Sequence, residues 1–313
     1  MCGKLSAMPD LTARLRKGLR DAIDGVPALR MAVKTRPVQH AVQVVRGARV
    51  VTDPLRFAAL ELGGSRTASH RLRTSGLTFL IRHRTRDMNI LNEIFGGTSA
   101  HLCYEPPPEV AARIDADPAP RMLDLGANIG LFGVYALGRW PRARIHSFEP
   151  DPANLNLLRL VVGVNDLDAR WSVTDAAVAN HAGAMSFEAG RYSDSRLVAP
   201  SQPAAEETEP DTGSTPDTIE VQSVDLFAED HQVSLLKMDI EGGEWSILTD
   251  PRLESLKADA IVLEWHTRGC PEPDARATAG RLLQAAGFGR LEDVEYGQGS
   301  GVLWAWREDP SAT

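Results

Sequence analysis

The stretch "RMLDLGANIGLFG", residues 121–133, sets an acidic residue, three glycines and an asparagine in and behind a short apolar run. Met122, Leu123 and Leu125, bounded upstream by Pro118 and Pro120, read as a buried parallel strand entering a tight turn. From Leu131 to Trp140 apolar residues recur at helical spacing. The stretch therefore predicts strand, glycine turn and helix in succession. Glycines let such a turn come close to a ligand, and the helix start behind them offers it unpaired N–H groups.

Two cofactor classes use this geometry. A dinucleotide site wants Gly-x-Gly-x-x-Gly, the second glycine making room for pyrophosphate. Here the glycines are Gly126, Gly130 and Gly133, and Asn128 stands where the pyrophosphate-facing glycine belongs. Asp124, at the strand end, would repel a pyrophosphate but can pair with a cation such as the ammonium of S-adenosylmethionine. The next strand, within "ARIHSFEPDP", ends at Glu149, where a doubly wound sheet places ligand contacts and a carboxylate can accept from two ribose hydroxyls. Asp124, Gly126, Asn128, Gly130 and Glu149 are thus the expected cofactor residues. Asp175, after the third strand in "WSVTDAAV", is a further candidate, for the adenine amino group.

Working outward, residues 120–308 repeat the strand–helix pattern of an α/β, doubly wound, mostly parallel sheet. Strands are expected near 121–125, 144–148, 170–174, 234–239 and 259–264, with a final antiparallel pair near 289–295 and 301–306. "LLKMDIEGGEW" puts Asp239 near a strand's carboxyl end, with Glu241 and Glu244 around Gly242-Gly243, facing the same crevice. Three carboxylates in one short loop repel one another unless a cation, Lys237 or a retained proton balances them. "DAIVLEWHTRG" ends in Glu264 and His266, which alternate with Trp265 and so share a face. An imidazole, with an ordinary pKa of roughly 6.5, suits removal of a hydroxyl proton. Asp239, Glu241 and His266 are the expected catalytic residues, with His266 or Asp239 as the base. A divalent metal is not indicated; Asp239, Glu241 and Glu244 are the carboxylates that would hold one.

Upstream, residues 1–70 read as a basic helical extension, and 71–118 as a hairpin, its strands around Arg71–Arg73 and Thr78–Ile81, with helices packing on a core domain over 119–308. Residues 199–218, rich in Pro, Thr and acids, read as a flexible surface insertion. The first 86 residues carry 17 Lys+Arg against 5 Asp+Glu, a balance of +12, and the remainder 17 against 37, or −20. Those arginines lie among apolar residues without aromatic interleaving, which suits a solvated helix face better than a nucleic-acid surface. Cys2, Cys103 and Cys270 are far apart and form neither a disulfide framework nor zinc-ligand spacing. No run of 18 apolar residues and no apolar leader occurs, so a cytoplasmic protein without a transmembrane segment is expected.

"MLDLGANIGLFGVYAL", "IHSFEPDPANLNLLR", "LLKMDIEGGEWSIL" and "IVLEWH" together resemble the successive motifs of FkbM-type methyltransferases, and "FLIRHRTRDMNILNEIF" resembles the segment preceding the core in that family. The resemblance implies a Rossmann-like class I methyltransferase fold with a seven-stranded sheet. It also implies S-adenosyl-L-methionine as cofactor and O-methylation of a hydroxyl on a sugar, glycolipid or polyketide-type natural product. An RNA methyltransferase using the basic amino-terminal region, and a non-catalytic cofactor-binding partner subunit, are the rival readings. The acceptor and the oligomeric state, a homo-oligomer included, stay open at the level of sequence.

Overall fold

In the computed structural model the apolar run Arg121–Leu125 is an interior strand of a seven-stranded sheet, with four of its five residues buried. The structure describes residues 36–64, 66–96, 103–190, 196–197, 217–294 and 299–308. The chain divides into two compact units, residues 1–45 and 46–313. Of the first, the described residues 36–45 are helical, within helix α1 (Arg36–Val50); the second unit carries everything that follows.

Helix α2 (Pro54–Gly63) leads into a hairpin of β1 (Thr67–Arg71) and β2 (Thr78–Arg82), then α3 (Asp87–Phe95) and α4 (Pro108–Ala116). The wound core alternates β3 (Arg121–Leu125), α5 (Leu131–Arg139), β4 (Arg144–Phe148), α6 (Pro152–Val164) and β5 (Trp171–Thr174). After an excursion it resumes with β10 (Gln232–Met238), α7 (Glu244–Leu248), β11 (Lys257–His266), α8 (Ala275–Ala285), β12 (Arg290–Val294) and β13 (Ser300–Trp306). The sheet order is β12-β13-β11-β10-β3-β4-β5. Five strands are parallel, and β13 lies antiparallel between β11 and β12. Strand order reverses at β3, so the crevice beyond the carboxyl ends of β3, β4 and β10 is where ligands bind in such sheets.

Period-two alternation divides the sheet's side chains between two cores. Met122, Ile145, Leu235 and Val262 pack beneath α4, α5 and α6, while Leu123, Leu125, Leu236 and Leu263 pack against α7 and α8.

The structure differs from the sequence expectation in three places. The first hairpin strand is Thr67–Arg71, not Arg71–Arg73, because Leu72–Leu77 form the turn: Gly76 N donates to Leu72 O at 3.0 Å and Leu72 N to Leu77 O at 2.8 Å. The boundary expected at residue 70 consequently falls inside β1. The excursion holds a second sheet that was not anticipated, ordered β6-β9-β7-β8 from β6 (Ala177–Ala179), β7 (Gly183–Ala189), β8 (Arg196–Leu197) and β9 (Asp217–Asp225). Residues 217 and 218 of the expected insertion begin β9; 199–216 lie outside the described residues. The hairpin-region arginines mostly serve the protein itself: Arg56 donates to Ser69 O at 2.8 Å, Arg73 to Val51 O at 2.6 Å and Arg82 to Asp87 at 2.8 Å. No described helix is long and apolar enough to cross a membrane.

Candidate active site

Immediately after β3 the backbone turns left-handed at Gly126, with φ of 76°. A Cβ there would sit 1.8 Å from Asp239 O, so only glycine lets this turn lie against the loop after β10. Gly126 N and Ala127 N both donate to Phe148 O, at 3.1 and 3.0 Å, which ties the turn to β4 as well. Asn128 is left-handed too, with φ of 51°, and its N–H donates to Glu149 Oε2 at 2.6 Å. Asp151 N donates to the other oxygen, Glu149 Oε1, at 2.8 Å. Burial raises the Glu149 carboxyl to about 7 against the pull of these two amides.

Two cavities meet at this turn. One is a slot lined by the apolar Phe148, Val178, Phe187 and Ile240, with Glu149 and Asn154 among its polar groups. The other, of about 430 Å³, is lined by Glu93, Tyr104, Lys237, Glu264 and His266 among others. Gly126, Asn128, Asp239 and Glu241 line both, forming the wall where the two meet. The unanticipated second sheet thus contributes Ala177, Val178 and Phe187 to the slot.

Asp124 does not reach either cavity. It is 0% exposed behind the turn, where Ser147 Oγ donates to its Oδ2 at 3.2 Å and Lys237 Nζ lies 3.4 Å from its Oδ1. Burial, opposed by Lys237, raises its pKa. The expected pairing of Asp124 with a ligand cation is replaced by pairing with a protein cation. Asp175 is also displaced from its expected place: it is exposed and lies 3.9 Å from Arg159 Nη2, while Ala176 and Ala177 take the slot wall. Gly130 lines neither cavity; at φ of 86° it opens α5, and a Cβ on it would lie 2.6 Å from Leu158 Cδ1.

Lys237, named in the sequence only as one way to balance charge, is buried at the wall of the second cavity and holds the turn. Its Nζ donates to Gly126 O at 2.6 Å and Leu125 O at 3.4 Å, and lies 3.5 Å from Asp239 Oδ2. Burial lowers its pKa, but Asp239 and Asp124 outweigh that and hold it raised. Neighbouring strands place it there, since Lys237 sits beside Asp124 in the parallel register of β10 and β3.

His266, Glu241 and Glu244 form the second feature. Fully buried Glu244 accepts from His266 N at 2.9 Å and faces His266 Nδ1 at 3.1 Å through Oε1, and accepts from Gly242 N at 2.8 Å through Oε2. That leaves His266 Nε2 facing Glu241 Oε2 at 3.3 Å, with Glu264 Oε1 at 3.9 Å. Burial disfavours the imidazolium, but the Glu244 hydrogen bond and the charges of Glu241, Glu244 and Glu264 raise it to about 10. These carboxylates favour the imidazolium, whereas the sequence suggests a near-neutral histidine base. Burial raises Glu241 to about 8, offset in part by His266. Side-chain N and O atoms of Asp239, Glu241 and His266 lie within 4.8 Å of one another; Glu244 is not in that group, its Oε1 facing His266 and its Oε2 accepting from Gly242 N.

Residues 124–288, more than half of the chain, match the methyltransferase FkbM domain family. Methyltransferase sdnD of Sordaria araneosa is 26% identical over 200 residues, spanning 56% of this chain and 75% of that protein. The 31-O-demethyl-FK506 methyltransferase FkbM of Streptomyces tacrolimicus is 28% identical over 180 residues, 47% of this chain and 67% of that one. Among solved structures, methyltransferase FkbM from Methylobacillus flagellatus KT is similar at a TM-score of 0.42 with 15% identity, covering 86% of this chain and 59% of that one. The chain belongs to the FkbM family of S-adenosylmethionine-dependent methyltransferases.

Proposed function

We propose that the protein is an O-methyltransferase acting on a hydroxyl of a small molecule, of the sugar, glycolipid or polyketide-type natural-product kind. The observation that carries this reading is the pair of cavities joined at Gly126, Asn128, Asp239 and Glu241. The slot suits a nucleoside: apolar faces from Phe148, Val178 and Ile240 flank a flat base, and Glu149 at the end of β4 is an acceptor for ribose hydroxyls. Each Glu149 oxygen takes one backbone N–H and keeps capacity for a further donor. S-adenosylmethionine bound there supplies an electrophilic methyl group on a sulfonium.

The second cavity handles the acceptor. A hydroxyl is a poor nucleophile until its proton is leaving, and Glu241 is the group in this cavity suited to take it. A carboxylate of pKa about 8 is a stronger base than an ordinary one and lies near working pH. His266, held by Glu244, keeps its charge and orients the Glu241 carboxylate through Nε2. Asp239, anchored by Lys237, borders both cavities where a cationic centre would lie. Most of the remaining rate comes from holding the two reactants in line.

Two measurements test the reading. Calorimetric titration with S-adenosylhomocysteine is expected to show binding that Glu149→Ala weakens by about 10- to 100-fold, the worth of hydrogen bonds to a charged group. A folded wild-type protein that ignores this ligand would remove the nucleoside assignment. The pH dependence follows from Glu241: its pKa is raised, so it is protonated and inactive as a base at low pH, and its base form grows as pH rises through about 8. Because the Glu241–His266 pair titrates as a unit, kcat/KM is expected to climb to a plateau above about 8 and to fall again near 10, where His266 loses its proton. A profile flat from pH 6 to 9 would count against Glu241.

A further inference from the structure

Outside the family-matched residues 124–288, the wall of the acceptor cavity comes from Arg86, from Asn89, Ile90, Glu93 and Ile94 of α3, from Tyr104 and from Ser300 of β13. Glu93 stands apart among these. It is only partly exposed, it lines the same cavity as Asp239 and Glu264, and its side chain makes no hydrogen bond or ion pair with the described residues. Burial, and then the charge of Asp239, raise its carboxyl to about 7, whereas a glutamate on an ordinary solvated helix face keeps a value near 4.3. A carboxyl withdrawn from water without a partner among the described residues is costly, and such a group is most simply explained by a partner that arrives with the ligand.

In its ionised form the carboxyl calls for a hydrogen-bond donor. A purely cationic group would meet Arg86, Lys237 and His266 as well as Glu93, Asp239, Glu241 and Glu264, and it could accept from none of the cavity's donors. A hydroxyl suits better, since it donates to Glu93 and can accept from Asn89 or Arg86. Resting on the methyl-transfer reading above, we propose that Glu93 binds a second hydroxyl close to the one that is methylated, so that the enzyme selects polyhydroxylated acceptors over those with a single hydroxyl. Glu93 is then a specificity determinant contributed by α3, independent of the cofactor slot. A site with a polar group built for a substrate hydroxyl rejects the analogue that lacks it, because the group is left unpaired.

The test uses the full chain saturated with S-adenosylhomocysteine and two probes, methyl α-D-mannopyranoside and tetrahydropyran-4-ol, followed by saturation-transfer NMR titration. Wild type is expected to bind the glycoside at least about tenfold tighter than the mono-alcohol, the scale of one hydrogen bond to a charged or buried group. Glu93→Ala should erase that preference and Glu93→Gln, which still hydrogen-bonds, should keep most of it. S-adenosylhomocysteine affinity should stay within about twofold in all three proteins, since Glu93 does not line the slot. Equal glycoside binding in wild type and Glu93→Ala, or no glycoside binding to the loaded wild type, overturns the proposal. Loss of S-adenosylhomocysteine binding in the wild type itself would instead overturn the methyl-transfer reading and this inference with it.

Discussion

Glu241→Gln is expected to lower kcat by about 10²–10⁴-fold, the usual worth of a positioned general base, while leaving S-adenosylhomocysteine affinity within about threefold. The substitution keeps shape and removes only the ability to take a proton. Glu241 is also one of four non-glycine residues in the described chain with positive φ, at 52°. Such a backbone costs on the order of 1–3 kcal/mol and persists only where the surroundings enforce it. Here they do: Glu244 Oε2 accepts from Gly242 N, and Gly243 N donates to Ile240 O at 3.0 Å. The loop therefore presents the Glu241 carboxylate to the crevice at a conformational cost, which suits a chemical role better than a packing one. The assay is steady-state kinetics with whichever hydroxyl acceptor the wild type turns over, from pH 6 to 10. A variant that keeps more than a tenth of wild-type kcat, or keeps the inflection near pH 8, would move the base to Asp239.

How much of this was legible in the sequence depends on range. The wound sheet was, because most of its parallel strands are apolar runs followed by periodic helices; β3, β4 and β13 lie within a residue of their expected bounds. The position of Glu149, at a strand end on the slot, was legible as well. The second sheet was not: β7 reads partly exposed at alternate positions, and its buried Phe187 is an isolated signal. The roles of Asp124 and Lys237 could not be read either, since adjacency across β3 and β10 is a matter of register between strands 110 residues or more apart. An acid at a strand end looks ligand-facing until the lysine beside it is seen to occupy it. Similarly, His266 looks like a neutral base until Glu244, 22 residues earlier, is found on its Nδ1. Long-range pairing of charges, rather than local pattern, separates the two accounts.

The same pairing makes Lys237→Met the substitution with the largest expected effect on stability, a loss of about 3–5 kcal/mol, as for breaking a buried ion pair by removing one partner. Methionine matches the lysine stem, so packing changes little, but Asp124 is left fully buried with only Ser147 Oγ as donor. Gly126 O and Leu125 O also lose a donor, which loosens the turn on which the slot depends. The sign with pH is fixed by Asp124. Its folded pKa is already raised by burial, and removing Lys237 takes away the two largest influences that hold it down. A group whose folded pKa exceeds the unfolded value stabilises below the unfolded value and loses that contribution as pH rises through the folded one. The deficit of the variant should therefore be smallest in acid and largest above neutrality. Urea denaturation of wild type and Lys237→Met at pH 5 and pH 8 reads this directly. Adding Asp124→Asn to Lys237→Met should recover part of the loss at pH 8 and little at pH 5. A variant equally stable to wild type at pH 8 would mean that Asp124 is protonated in the native enzyme and that Lys237 serves Asp239 alone.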